Sequence, residues 1–255
     1  VWQPVKLSQI PAQEFKEIKF VPSRYQLYKV QENGIRATLQ EIVKSDKSGT
    51  IQLPAPDGSM ISFTAIYSSV MEPGLEKNHP EIRTFSIQGI EDKNVVGRIG
   101  YNTSGLFGVI SADNKEYLIQ QSYSDSPYYF IYYSADDQEA QALLHESICP
   151  YNNPGEKLTP HELNTRADEK RMRHFRVAIA CTSTFASDVG GTQQKVLEKI
   201  IDVMNGVNLR YNRDMGMHFD LIANDTILFN LDPNTDYFNN TTNGGGLLSQ
   251  NQSFL

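Results

Sequence analysis

Few side chains in these 255 residues could do more than pack: five histidines (His79, His145, His161, His174, His218) and two cysteines, Cys149 and Cys181. A zinc helix needs imidazole or thiolate ligands one turn apart, and no histidine here is followed four positions later by another. His145-Glu146-Ser147-Ile148-Cys149 comes nearest, with two ligand types at that spacing and a glutamate beside the first. Pro150 follows directly and no third ligand is signalled nearby, so chance is the better reading. His161-Glu162-Leu163-Asn164-Thr165 lacks a second ligand altogether and reads as an exposed turn. Arg166, Lys170, Arg171 and Arg173 form a basic cluster, a solvated charge run when judged alone and also what a trypsin-like processing enzyme would cut. The two cysteines leave open one bridge, a metal ligand or two free thiols.

The elements around these residues are clearest between Arg173 and Asp225. Phe175, Val177, Ile179 and Cys181 alternate with Arg176, Ala178 and Ala180, the period of a strand with one buried face. After the Gly190-Gly191-Thr192 break, Val196, Ile200, Val203, Met204, Val207 and Tyr211 recur at three- and four-residue spacing, with Lys195, Glu198, Lys199 and Asp202 on the other face. That predicts a helix over 192–211, about 30 Å long at the helical rise. Met215, Met217, Phe219 and Leu221 alternate again. A strand-helix-strand crossover of this length makes two parallel strands with a right-handed connection.

Composition bounds the function. Apolar content of 39% and charged content of 21% belong to a folded globular chain, and no run approaches the length of a membrane span. A net charge of -7 would repel a phosphate backbone, so nucleic acid is not an expected partner, nor is a membrane. The chain starts at Val1 rather than methionine, which implies a segment removed ahead of it.

Taken in order, residues 1–24 read as an extended lead-in broken by Pro4, Pro11 and Pro22. Residues 25–148 read as an all-β unit, a sandwich or partly closed barrel. Its short strands run from Tyr25-Leu27 through Thr38-Leu39 to Tyr128-Tyr133, with hairpin signals at Asn33-Gly34, Asp57-Gly58 and Ala112-Asp113-Asn114. Gln40 to Lys44 and Ala135 to Glu146 suit short helices. Residues 149–172, with Pro150, Pro154, Gly155 and Pro160, read as a linker. Residues 173–255 form an α/β piece ending in an Asn- and Gly-rich loop, LDPNTDYFNNTTNGGG. One crossover leaves a sheet face uncovered, so the protein is expected to continue past Leu255. The fold class is therefore α+β.

RHFRVAIACTSTFASDVGGTQQKVLEKIIDVMNGVNLRYNRDMGMHFDLIAND, continuing into DPNTDYFNNTTNGGGLLSQNQ, resembles the opening of the catalytic domain of secreted bacterial reprolysin-like zinc metallopeptidases of the metzincin clan. FTAIYSSVMEPGLEKNHPEIRTFSIQGIED, GRIGYNTSGLFGVI and YYFIYYSADD are similar to the propeptide domain that precedes such enzymes. The resemblance implies an exported zymogen acting on proteins or peptides, a prodomain that contacts and silences the catalytic domain, and cleavage near Lys170, Arg171 and Arg173. It implies zinc held by HExxHxxGxxH, with the glutamate as general base. That motif is absent here, so this stretch by itself is expected to be inactive. Calcium follows from analogy only, with no acidic cluster that compels it. Cys149, between prodomain and catalytic domain, is in the place of an inhibitory thiolate offered to zinc, though SICPYNN is not a close match to that motif. A Cys149–Cys181 disulfide, or Cys181 as a buried small hydrophobe, is weighted above that switch. The competing class is a secreted binding or adhesion module, with Tyr128-Tyr129-Phe130-Tyr132-Tyr133 as its surface; a central strand covered on both faces is the preferred reading of that run.

Overall fold

The computed structural model describes residues 1–138, 172–238 and 244–254. Its larger part is a curled antiparallel sheet. Among the described residues nine strands pair: β1 (Trp2–Pro4), β2 (Gln26–Val30), β3 (Gly49–Pro54), β4 (Met60–Tyr67), β5 (Arg83–Gly89), β6 (Val96–Tyr101), β7 (Leu106–Ala112), β8 (Lys115–Gln121) and β9 (Tyr128–Tyr133), in the order β1-β2-β9-β8-β7-β6-β5-β4-β3. The Trp2 indole, on one edge strand, donates to the Gln52 carbonyl on the other at 3.1 Å, so the curl brings the two edges together. The expected partly closed barrel is this half-barrel, and the sandwich alternative falls away.

Asp57-Gly58 and Asp113-Asn114 turn the β3–β4 and β7–β8 hairpins, with Gly58, Asp113 and Asn114 all at positive φ. Asn33-Gly34 does not make a hairpin, and Thr38-Leu39 is not a strand. Both lie in α2 (Glu32–Ser45), whose Ile35, Leu39 and Ile42 point into the sheet at helical spacing. Their burial against Phe63, Phe85 and Ile99 outweighs the turn preference of Asn-Gly. The short helix read over Gln40–Lys44 is the second half of this one.

The lead-in is also more ordered than its prolines suggest. β1 joins the sheet, and Ile10, with Val5, Leu7, Ile18 and Phe20, covers Leu27, Tyr128, Phe130 and Tyr132 on the opposite face from α2. A short helix, α1 (Ala12–Phe15), lies in this covering segment. β9 is therefore buried on both sides: Tyr129 and Ile131 face the α2 core, Tyr128, Phe130 and Tyr132 the lead-in. The aromatic run is core, which removes the surface that a binding module would need. Of the helix expected over 135–146, a 3-10 turn at Ser134–Asp136 and a helical Gln138 are described; 139–146 lie outside the described residues.

The second part is the crossover. β10 (Arg173–Val177) pairs in parallel with β11 (Met217–Leu221), joined through α4 (Ser183–Asp188) and α5 (Gln193–Met215). Thr192 caps α5 by accepting from the Lys195 amide, and Gly216 ends it at φ 62. The helix is longer than expected, and Met215 belongs to it rather than to the following strand. β10 stops at Val177, short of Cys181. At the other end Gly244–Phe254 is a helix, α6, where the glycine run suggests loop.

Candidate functional site at the seam between sheet and crossover

The crossover does not stand apart. Val70, Met71, Leu75 and Ile82, from the β4–β5 connection that carries α3 (Pro73–Asn78), and Phe107 of β7 share one core with Cys181, Val196, Leu197, Ile200, Ile201, Met204 and Leu221. The connection also pairs with the free edge of β11: Leu221 donates to the Val70 carbonyl at 2.8 Å, and the Glu72 amide to the Leu221 carbonyl at 2.9 Å. Met71 thus sits opposite Leu221 as a third, parallel row beside β10 and β11. Outside the sheet, Arg176 pairs with Glu72, whose carboxylate also takes the Ala223 amide at 2.9 Å.

Placed between the half-barrel and its own two strands, α5 is buried along two faces instead of one. Glu198, read as solvent-facing, is only 3% exposed, while Val203, read as core, is 52% exposed. Glu198 meets the β6–β7 turn. One carboxylate oxygen accepts from the Thr103 amide at 3.1 Å and from its hydroxyl, the other from the Ser104 hydroxyl at 3.1 Å. Burial alone would raise the Glu198 carboxyl; the bonds from Thr103 and Gln194, with Lys195 nearby, outweigh it and hold the group below its ordinary value. The turn is set by Asn102, whose side chain accepts the Ser104 and Gly105 amides. Gly105, at φ +153, has no room for a Cβ beside the Gln121 amide and the Tyr129 hydroxyl. Asn102 is buried in this role, although Thr103 beside it is exposed.

Arg98 of β6 is the second anchor and is 1% exposed. Its fork donates to Asn205 Oδ1 on α5 at 2.7 Å and to the Ser68 hydroxyl and carbonyl at 3.0 and 2.7 Å. Burial pulls it down to about 10 against the opposing pull of Asp220, so it stays charged at neutral pH. Asn208 ties α5 to β11 by exchanging two bonds with the Phe219 backbone, at 2.9 and 2.8 Å. His218 is buried facing the Ser69 carbonyl at 3.0 Å; burial lowers its basicity and the carbonyl opposes that.

The residues singled out in the sequence fall around this seam rather than in it. Cys149, Lys170 and Arg171 lie outside the described residues, as do His145 and His161. Arg173 opens β10, opposite Met217, with its amide on the Gly216 carbonyl at 2.8 Å; a protease meets a hydrogen-bonded strand there. Cys181 is a buried thiol, raised by burial, whose carbonyl accepts from Asn230. His79 faces Glu81, and His174 and His218 lie on strands. Among the described residues none of these forms the helix-borne histidine pair of the family's catalytic zinc site, so that site is not built from them.

Beside Cys181, Asp225 is fully buried. One oxygen accepts the Ile179 amide at 2.7 Å, and the other has no partner among the described residues. Burial raises its carboxyl to about 6. Because the folded group binds its proton more tightly than an unfolded aspartate, stability falls as pH rises from about 4 to about 6 and is flat beyond, by about 3 kcal/mol at most. Asp225→Asn is expected to remove this fall, read as the difference between variant and parent urea midpoints across that window.

Comparison with known proteins agrees with one part of this arrangement. No curated protein and no solved structure matches the chain. The model of Metallo-peptidase family M12B Reprolysin-like matches residues 171–255, which span β10, α4, α5, β11 and α6. Residues 171–255 are thus similar to the reprolysin-like M12B metallopeptidases.

Proposed function

We propose that the chain is part of the proform of a secreted zinc endopeptidase, in which the half-barrel unit keeps the metallopeptidase segment latent. The reading is supported most by the shared core at the seam, where the β4–β5 connection supplies both apolar side chains and a backbone row to the family-matched segment. A prodomain that completes a core of its enzyme both helps it fold and restrains it. In the intact enzyme zinc would activate water against a peptide bond; the groups that hold it are not among the residues here, and no step is assigned to this chain. Release would follow cleavage in the basic cluster. Lys170 and Arg171 are the better targets, because Arg173 is held in β10. Cys181, a free buried thiol, fits the reading of a small core hydrophobe, and Cys149 is then the thiolate offered to zinc.

Limited trypsin digestion tests the arrangement. Cleavage is expected between Lys170 and Arg173, leaving two resistant pieces that co-elute on gel filtration because their core is common. An uncut region, or pieces that separate without denaturant, would contradict it.

A further inference from the structure

The β10–β11 pair brings together a second group of ligand-type side chains. Parallel register sets His174 opposite His218, and Asp220 follows His218 by two residues, so all three project from one face of the pair. Their ligand atoms lie within 4.8 Å of one another. The Asp220 carboxylate spans both rings, one oxygen 2.9 Å from His174 Nδ1 and the other 3.4 Å from His218 Nε2.

We propose that His174, His218 and Asp220 form a site for a divalent transition metal ion of the zinc type. Two imidazoles and one carboxylate are the borderline ligand set that zinc, cobalt and nickel prefer over calcium or magnesium. Donors around a tetrahedral zinc ion stand about 3.4 Å apart, so the exposed His174 ring must move by roughly 1 Å to close the set. Coordination through His218 Nε2 puts its proton on Nδ1, and Asn212 Oδ1 lies 3.3 Å from that nitrogen, ready to accept it. Such an outer hydrogen bond is what fixes a ligating imidazole. Arg98, the buried cation nearest Asp220, is turned to Ser68 and Asn205 and leaves both carboxylate oxygens on the imidazoles. The burial gradient, from buried His218 through half-buried Asp220 to exposed His174, gives an ion a way in and leaves its fourth position to water. In the ion-free chain Ser69 O accepts from His218 Nε2 at 3.0 Å; coordination takes that proton away and leaves the carbonyl facing an ion that sits on the seam and staples β10 to β11. The proposal stands independently of the peptidase reading.

Zinc titration of the 255-residue chain by competition with a chromophoric chelator, and cobalt titration by visible absorption, test it. One ion is expected, without thiolate-to-cobalt charge-transfer absorption. His174→Ala and Asp220→Asn should each weaken zinc binding roughly 10–100-fold or more with unchanged circular dichroism. Cys149→Ser and His161→Ala should leave the affinity as it was. Wild-type affinity in both His174→Ala and Asp220→Asn, loss of binding in Cys149→Ser, or no stoichiometric binding at all would overturn the site.

Discussion

Arg98→Ala is expected to destabilise the chain by about 4 kcal/mol, from the cavity it opens and the buried acceptors it leaves without donors. The side chain holds Asn205 on α5 and Ser68 at the end of the β4–β5 path at once, so its removal opens a cavity and leaves the Asn205 carbonyl oxygen and the Ser68 carbonyl without donors. For a domain whose whole stability is about 5–15 kcal/mol, that is a large share. Arg98→Lys should recover only part, because one ammonium cannot reproduce a planar fork that reaches two elements. The diagnostic readout is hydrogen exchange. β6 and β11 amides should lose protection together, since the seam is one core; loss confined to β6 would mean that the two parts fold separately.

Glu198→Ala acts on the other end of α5 and is expected to cost about 3 kcal/mol. It removes the acceptor of the Thr103 amide and of the Thr103 and Ser104 hydroxyls and leaves a cavity where the buried carboxylate stood. Its pH signature is opposite to that of Asp225. The folded Glu198 carboxyl is held below its ordinary value, so its contribution is present above the unfolded value of about 4.3 and is lost as pH falls through the folded one. Thermal midpoints of parent and variant should therefore differ most at neutral pH and converge in acid. A constant difference across the range would assign the loss to packing alone.

Both anchors illustrate why the seam is hidden from the sequence although the crossover is plain in it. The 3.6-residue recurrence of Val196, Ile200 and Met204 reports burial by one neighbour and the helix appears where expected, whereas Phe175, read as facing a core, is 41% exposed on a strand that forms all the same. A helix gripped from two sides needs polar residues on its second buried face to meet a polar turn, and Glu198, Asn205 and Asn208 then look like solvent-facing positions. Arg98 is disguised in the same way, as the outward residue of an alternating strand. α2 is missed because Asn33-Gly34 is a stronger local signal than the stripe Ile35, Leu39, Ile42, whose value appears only once the sheet is in place. The pairing of Met71 with Leu221 spans 150 positions and has no local mark. The histidine-carboxylate group escapes for a related reason: His174 and His218 become neighbours only through the register of β10 on β11.

The most direct test of latency uses the protein as the cell makes it. Hydrolysis of a quenched fluorescent peptide should be near background in the uncleaved form, rise after trypsin cuts between Lys170 and Arg173, and vanish when zinc is chelated. Equal activity before and after cleavage, or none after complete cleavage, would contradict the account.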